Sequence, residues 1–366
     1  MSDAQPILAV GGRDVRLTER EVEAHLVDVV AAQSGGRVLL VPPDHTRLHS
    51  GAGRITAVLY EHLTARGCDV WVLPALGTHV AMTAAELSSM FSDRVPADRV
   101  LEHRWTDGIA HLGEIEAIPV EVNPVLTQPW DLVVSIGQVV PHEVIGMANF
   151  TKNLVIGLGG RPTINLTHYL GAQCGIENVI GRAETPVRAV VDAAFDRFVA
   201  DRANVMWILT VMESTADEVV QRGLFVGQGR SDESGGAAFR AATELAAACN
   251  IHLVDEPLTR VVCWLDPAEF HSTWLGNKAI YRTRMAMADG GELVVLAPGV
   301  SRFGEDPHVD ALIRRHGYRG TAATSDALGA DPELAASLGA AAHLVHGSSE
   351  GRFDIVYCTD PDHGGL

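Results

Sequence analysis

Cysteine is scarce in the chain, and the spacing of the cysteines does not indicate a disulfide framework. The five cysteines are Cys68, Cys174, Cys249, Cys263 and Cys358. Their number is odd and no two have the CxxC spacing, which argues against a disulfide scaffold and against a cysteine-rich zinc site. Unpaired cysteines are typical of proteins that work in a reducing compartment.

Long apolar runs and basic residues are also in short supply. No apolar run reaches the ~18–20 residues that a membrane span needs, and the first residues lack the basic-then-apolar pattern of a secretory signal. Lys and Arg total 28 against 46 Asp and Glu, so the formal net charge is −18. Such a charge disfavours nucleic acids and anionic membranes as partners. We therefore expect a cytoplasmic protein that acts on a small molecule.

The patterns that are present predict an α/β fold. Short β-branched runs alternate with helical patterns along the 366 residues, which favours parallel strands joined by helices. We predict two domains: a larger N-terminal parallel-sheet domain over 1–268, and a smaller C-terminal α/β domain over 269–366. The active site is expected in the cleft between them. Within the larger domain, the run 154–160 is predicted to form a strand and a turn.

Polar residues follow two of the predicted strands directly. Asp44, Thr46 and Arg47 come after the strand 37–43, and His79 comes after the next strand. Ligands of open α/β sheets bind at the carboxyl ends of strands, so these residues are expected to share one crevice. The Arg47 guanidinium is a planar fork that suits a carboxylate or a phosphate. The alternative for each position is a capped turn with no role in binding.

Three further candidates follow a later strand. His142 comes after the strand 131–137, Lys152 lies ten residues further on, and His168 a further sixteen. A lysine beside an apolar run can hold an anion or a covalent group. Gly157, Gly159 and Gly160 come next, but their spacing matches no nucleotide-binding motif and a tight turn explains them better. Two histidines around one substrate suit proton transfer on two faces, as in a racemase or epimerase. A hydrolase metal centre could use the same residues.

The ordered set of these residues resembles the nickel-pincer lactate racemase family, whose members racemise or epimerise 2-hydroxy acids. The resemblance rests on Asp44-His45-Thr46-Arg47, Gly77-Thr78-His79, Pro141-His142, Lys152 and His168, and it covers about residues 35–170. It implies a cofactor in which nickel is held by a pyridinium mononucleotide with thiocarboxylate groups. Other proteins make this cofactor, so maturation proteins are implied as partners, and a recombinant preparation is expected to lack it without them.

The resemblance also implies a role for each matching residue. Lys152 would hold the cofactor, and His168 would be the protein ligand of nickel. His79 and His142 would be the paired acid–base residues, which exchange the hydroxyl proton while the α-hydrogen leaves and returns as hydride. Asp44, Thr46 and Arg47 would line the cofactor and the active site, and Arg47 is also a candidate for holding substrate.

The sequence departs from the family pattern at several places. Asn149-Phe150-Thr151 precedes Lys152 where the family has Gly-Gly-Arg, and Leu48 stands where the family has proline. The lysine with which lactate-specific members hold the substrate carboxylate aligns with Met285. Candidate replacements lie close to that position: Lys278, Tyr281, Arg282 and Arg284.

These departures shift the expected substrate. Extra arginine donors suit a polyhydroxylated carboxylate, so we rank a sugar acid, such as an aldonate epimerised at C2, slightly ahead of lactate. Two other hypotheses stay open at this point. One is a zinc hydrolase that uses His79, His142 and His168. The other is a non-catalytic protein that binds the hydroxy acid or the cofactor.

Overall fold

The computed structural model describes residues 4–363, so the first and last three residues of the predicted domains lie outside it. It has the mixed α/β composition that the sequence predicted. The thirteen strands of the described residues are β1 Leu8–Gly11, β2 Arg37–Val41, β3 Asp69–Val72, β4 Ala110–Ile115, β5 Ile118–Val122, β6 Trp130–Gln138, β7 Pro141–His142, β8 Gly146–Met147, β9 Ala203–Ser214, β10 Val219–Gln228, β11 Leu258–Trp264, β12 Met287–Leu296 and β13 Asp354–Cys358. The helices are α1 Glu19–Val29, α2 Ala52–Ala65, α3 Ala84–Phe91, α4 Thr151–Val155, α5 Arg161–Cys174, α6 Ile176–Val179, α7 Pro186–Phe198, α8 Ser234–Asn250, α9 Thr273–Gly276, α10 Lys278–Thr283, α11 Pro307–His316, α12 Gly320–Ala330, α13 Pro332–Ala335 and α14 Leu338–His346.

The described residues divide into two compact units. The first contains residues up to 164 together with 181–251, and the second contains 165–180 together with the residues from 252 onward. This division differs from the predicted single boundary at 268 in two ways. The later boundary falls at 251, before β11, and the end of α5 and all of α6 belong to the second unit although they lie early in the sequence.

A six-stranded sheet forms the centre of the first unit, with the order β1-β10-β9-β6-β2-β3. The four strands β9, β6, β2 and β3 pair in parallel, as the alternation of strands and helices predicted. At the other edge, β10 pairs with both β9 and β1 antiparallel. The predicted parallel sheet is therefore confirmed at the centre, while this edge is antiparallel, because β9 and β10 form a hairpin and antiparallel strands need no helical crossover.

Helices cover this sheet because their apolar residues recur at helical spacing. On one side, Val22 and Leu26 of α1 and the apolar residues of α2 pack with the strands in one buried cluster. Capping boxes fix where two of the helices begin: Thr18 and Glu21 cap α1, and Thr83 and Glu86 cap α3. Thr185 caps α7, with Pro186 in the first turn, as predicted.

The segment 154–160 does not form the predicted strand. Residues Thr151–Val155 form the short helix α4, and the amides of Ile156 and Gly157 both donate to the Lys152 carbonyl as the chain turns. Leu154 and Val155 are buried on all sides. A short run of residues that are all buried is apolar at every position in a helix and in a strand alike. The period of its apolar residues therefore could not distinguish the two.

The second unit is built on a parallel three-stranded sheet with the order β11-β12-β13. Alternate residues of these strands, such as Leu293 and Val295, pack into the core of the unit. Three further helices of this unit, α12, α13 and α14, lie in the alanine-rich part of the chain. None of the helices within the described residues is both long and apolar enough to cross a membrane.

Candidate active site

The first element of the candidate site is the turn after β2, where Asp44 begins a short 3-10 helix over His45–Ser50. The Asp44 carboxylate accepts from the Thr46 amide at 3.1 Å and from the Thr46 hydroxyl at 2.6 Å. These bonds satisfy donors that would otherwise have no partner at a helix start. Arg47 follows in the same turn and is partly buried. The local sequence thus fixes a buried carboxylate at the end of a parallel strand.

The second element is His79, which follows β3 and meets Asp44. Its Nδ1 forms a short hydrogen bond with Oδ2 of the Asp44 carboxylate, which is 7% exposed, whereas the His79 side chain is 51% exposed. The strands β2 and β3 are parallel neighbours, so their ends bring the two residues together as the sequence predicted. The half-exposed imidazole is therefore held in place through one ring nitrogen and presents the other.

A cavity of about 280 Å³ adjoins His79. Its walls include Thr78, Arg104 and Trp105, together with the buried ring of His103. Burial lowers the pKa of His103 to about 4, and the His103 Nδ1 lies 3.2 Å from the Asn123 amide nitrogen. His103 is therefore a neutral structural residue, which agrees with its lack of any partner pattern in the sequence.

The buried Asp44 has an ionised carboxylate at neutral pH. Burial alone would raise its pKa, but the hydrogen bond and charge of His79 and the two donors of Thr46 outweigh that effect and lower the pKa below its ordinary value. An ionised carboxylate on Nδ1 selects the ring tautomer and stabilises a protonated ring. The pair can therefore take a proton at Nε2 of His79 and release it again.

His142 lies in the small hairpin of β7 and β8 that follows β6. The hairpin pairs Pro141 with Met147 and His142 with Gly146. The His142 ring is largely buried, with 11% of the side chain exposed, and its Nδ1 accepts from the Val144 amide at 3.1 Å. Nδ1 also lies 3.7 Å from the Glu143 carboxylate. In the neutral ring, an Nδ1 that accepts a hydrogen bond leaves the proton on Nε2.

Lys152 lies in the first turn of α4 and is partly buried. Within the first unit, no described residue forms a hydrogen bond or an ion pair with its ammonium group. Desolvation, the largest effect, together with the positive charge of Arg47, lowers the pKa of Lys152 to about 8. At neutral pH roughly one molecule in ten then carries a neutral, nucleophilic amine. The amine suits a covalent or anionic partner.

Asn153 joins α4 to the sheet through hydrogen bonds, and no sequence pattern indicated this role. Its side-chain amide donates to the Val41 carbonyl at 2.9 Å and to the Ser135 hydroxyl at 3.0 Å. These two acceptors belong to the neighbouring strands β2 and β6. These two hydrogen bonds therefore hold α4, which carries Lys152, against the strands that Asp44 and His142 follow.

The three glycines after α4 serve packing. A Cβ at Gly157 would lie 2.4 Å from the Asn153 carbonyl, and one at Gly159 would lie 2.4 Å from the Val155 carbonyl. At Gly160 it would lie 2.5 Å from the Glu121 carboxylate. Close packing requires glycine at the first two positions and favours it at the third, so the tight-turn interpretation is sufficient and no phosphate loop is needed.

The remaining predicted residues belong to the second unit. His168 lies on α5, and the partly buried Lys278 has its ammonium 5.8 Å from the Phe270 ring centre. Tyr281 is buried, and its hydroxyl lies 3.1 Å from Nδ1 of His343. Arg282 is exposed on α10.

Arg284 differs from the other candidates in the second unit because its contacts are structural. Its side chain is 3% exposed, donates to the Glu177 carboxylate at 2.8 Å and to the Ser348 carbonyl at 3.2 Å. The ion pair joins α6 to the end of α10, and therefore explains why α6 belongs to this unit.

No three His, Cys, Asp or Glu side chains converge as a metal site anywhere in residues 4–363. A zinc hydrolase that uses His79, His142 and His168 therefore has no preformed ligand set within these residues. A group that brings its own donors to the metal and needs one imidazole from the protein is compatible with this arrangement.

Comparison with known proteins now decides the family. Residues 22–177, which carry Asp44, His79, His142, Lys152 and His168, match the model of the lactate racemase N-terminal domain. Residues 22–177 are therefore a lactate racemase N-terminal domain. The resemblance inferred from the sequence motifs is confirmed.

Solved structures extend the likeness over nearly the whole length of the chain. A crystal structure of a protein from Thermotoga maritima is 25% identical, with a TM-score of 0.83, and the match covers 96% of this chain and 89% of that one. The lactate racemase apoprotein from Thermoanaerobacterium thermosaccharolyticum is 18% identical, with a TM-score of 0.69, over 92% of this chain and 78% of that one. At that identity the second match shows the fold alone. No curated protein gives a sequence match.

The Asp44–His79 pair has a testable effect on stability. We expect Asp44→Asn to lower the free energy of unfolding by about 1–3 kcal/mol at pH 7, because it weakens a buried, charge-assisted hydrogen bond. The folded-state pKa of Asp44 lies below its unfolded value, so the contribution is present above the unfolded pKa and is lost as pH falls through the folded pKa. Urea unfolding across the acidic range measures both effects.

The control for this experiment is Asp217→Asn, at an exposed position. We expect it to change stability by less than about 0.5 kcal/mol. An Asp44→Asn variant as stable as the control at pH 7 would show that the pair contributes nothing to the fold.

Proposed function

We propose that this protein interconverts the two configurations at C2 of a 2-hydroxy acid, with His79 and His142 as its acid–base pair. The observation that carries the proposal is the Asp44–His79 contact at the strand ends of a lactate racemase N-terminal domain. His142 and Lys152 complete the set in the same unit. Each is held by the backbone and side-chain contacts described above.

The two histidines are held differently, and the difference suits opposite tasks. Asp44 accepts the Nδ1 proton of His79, so Nε2 of His79 is the atom that accepts the substrate hydroxyl proton. The resulting imidazolium is stabilised by the same carboxylate. His142 keeps its proton on Nε2 in the neutral ring, and the nearby Glu143 carboxylate favours a further proton. In this direction His142 donates as the imidazolium, whose added proton lies on Nδ1 near Glu143: it gives its Nε2 proton to the substrate oxygen and becomes neutral, and the roles exchange in reverse.

The residues present fit the nickel-pincer nucleotide of the family. The Lys152 amine, with a pKa lowered to about 8, suits attachment to a carboxyl-derived group, and Arg47 adds a cation for an anionic one. We propose that Lys152 holds the cofactor, that His168 is the protein ligand of nickel, and that Asp44, Thr46 and Arg47 line the site. When bound, this group supplies a hydride acceptor, which is chemistry that no side chain offers.

We propose a sugar acid such as an aldonate as the substrate, ahead of lactate. Lys278 and Arg282 are the candidate donors to its carboxylate, because Met285 stands where lactate-specific members have lysine. An arginine fork binds a carboxylate and neighbouring hydroxyls at the same time. Arg284 is buried and forms an ion pair with Glu177, so we assign it a supporting role in the fold and not a contact with the carboxylate.

The proposal extends to the setting in which the protein works. Its partners would be cofactor-maturation proteins and a small-molecule substrate, in the cytoplasm, without nucleic acid or membrane. Protein produced together with the maturation proteins is then expected to contain nickel and the nucleotide.

A substrate panel tests the choice of hydroxy acid. We expect protein matured with the cofactor to interconvert C2 epimers of aldonates with a kcat/KM at least about tenfold above that for D- and L-lactate, a difference of one to two donor contacts. Chiral chromatography of each reaction gives both rates. A preference for lactate would contradict the substrate assignment, and tight binding of every acid without conversion would support the non-catalytic alternative.

A further inference from the structure

A strained turn lies between the His142 hairpin and the Lys152 helix. Asn149 and Phe150 have φ values of 67° and 60°, in the left-handed region that residues other than glycine adopt only at a cost. Such a conformation persists where the surrounding structure holds it in place. The segment 147–151 therefore needs a support, and sequence patterns did not identify one.

Arg188, on helix α7, reaches this segment from a position far along the chain. Its guanidinium donates to the Met147 carbonyl at 2.5 Å, to the Asn149 carbonyl at 3.3 Å and to the Thr151 hydroxyl at 3.0 Å. The side chain is 3% exposed. Three bonds from one planar fork fix three points along five residues, and a lysine in the same place has no such geometry.

Aromatic rings and a carboxylate complete the support around Arg188. The guanidinium lies 4.5 Å from the ring centre of Phe239, and Phe239 stacks on Phe150 at 4.9 Å with an interplanar angle of 12°. Asp192, one helical turn from Arg188, lies 3.7 Å from it and accepts from the Thr151 hydroxyl at 2.5 Å. The buried charge is thus paired, and its contacts converge on the strained turn.

We propose that Arg188 is a positioning residue, which holds the segment 147–151 in its left-handed turn and so sets where the Lys152 amine and the His142 ring point. Met147 pairs with Pro141 in the hairpin, so the contact to the Met147 carbonyl also braces the strand of His142. The inference rests on the proposed function only for the tasks of Lys152 and His142, because the contacts of Arg188 are independent of any activity.

The pKa of the Lys152 amine depends on its surroundings, so it reports whether the segment 147–151 keeps its position. Desolvation and two cations, Arg47 and Arg188, lower this pKa, and the carboxylates of Glu143 and Asp44 raise it. If the segment relaxes, the amine gains water and its pKa rises toward the ordinary value. The chain contains only two lysines, Lys152 and Lys278. Each can therefore be followed separately in one sample.

The experiment is competitive acylation of the apoprotein with a trace of acetic anhydride, from about pH 6 to about pH 11. Mass spectrometry of the peptide that contains Lys152 and of the peptide that contains Lys278 gives the labelling midpoint of each. We expect Arg188→Lys, which keeps the cation but loses the fork, to raise the Lys152 midpoint by at least about one pH unit from its starting value near 8. Labelling at pH 8 then falls about fivefold, while Lys278 is unchanged.

Two further variants make the outcome decisive. Arg197→Lys changes an exposed arginine on the same helix and is expected to leave both midpoints unchanged. Thr151→Val removes two bonds of the network at constant charge, the one from Arg188 and the one to Asp192, and is expected to raise the Lys152 midpoint in the same direction. An unchanged midpoint in a folded Arg188→Lys variant would overturn the proposal. If that variant does not fold, an unchanged midpoint in Thr151→Val would overturn it. No substrate or cofactor is present, so a protein without racemase activity would count against the proposed function only.

Discussion

Alanine in place of His142 is expected to remove the racemase activity in both directions, with kcat/KM lower by about 10²- to 10⁴-fold. His79→Ala is expected to have the same effect. One imidazole must take the hydroxyl proton while the other supplies one, and each inversion uses both. Loss of either ring therefore slows the forward and the reverse conversion by the same factor, because a change in the catalyst leaves the equilibrium constant between the two configurations unaltered.

A matched control separates this effect from damage to the fold. His308 is exposed at the start of α11 in the second unit, and His308→Ala is expected to retain full activity. Thermal unfolding of His142→Ala and His308→Ala should stay close to that of the unaltered protein, because the sheet stays intact. His79→Ala should remain folded but lose stability as Asp44→Asn does, because it removes a hydrogen-bond partner of the buried Asp44 carboxylate. A His142→Ala variant that keeps more than about a tenth of the activity would contradict the assignment.

Lys152→Arg is expected to abolish retention of the cofactor. The substitution keeps a positive charge at the position but removes the only amine in the first unit whose pKa is lowered to about 8. Arginine stays protonated and is not a nucleophile. Mass spectrometry of the denatured, matured protein should show a nucleotide adduct on the unaltered chain and none on this variant, with kcat/KM lower by at least about 10²-fold.

Lys278→Met is the matched control for Lys152, since it removes the chain's other lysine. It is expected to keep the adduct and its nickel while raising KM for the substrate, in line with its proposed contact to the carboxylate. An adduct of unchanged yield on Lys152→Arg would contradict the attachment proposed here, even if activity were lost.

The sequence was most informative where local patterns decide structure. The apolar runs at β2 and β6 predicted the parallel centre of the sheet, and the polar residues that follow β2 and β3 predicted that Asp44 and His79 would meet. The strand β10 and its antiparallel edge were not predicted, because their register depends on a hairpin whose turn has no strong signal. Helix α4 was mistaken for a strand because all its faces are buried.

Long-range partners could not be predicted from this sequence. Arg188 lies 36 positions after Lys152 on an ordinary amphipathic helix, and no motif distinguishes it from the other arginines. Its importance comes from burial against a strained turn, which is a property of the packed fold. In the same way, nothing local indicates that residues 165–180 belong with the C-terminal unit. The ion pair between the buried Arg284 and the partly exposed Glu177 joins these residues to it.

The central claim is that the site inverts a carbon that bears a hydroxyl group while its α-hydrogen stays out of exchange with water. The measurement that tests it most directly is conversion of each configuration of the substrate by the matured protein in heavy water, followed by NMR at the α-carbon. We expect both starting acids to reach the same mixture, with protium kept at the α-carbon throughout. Absence of any interconversion, or full entry of deuterium at that carbon, would contradict the account.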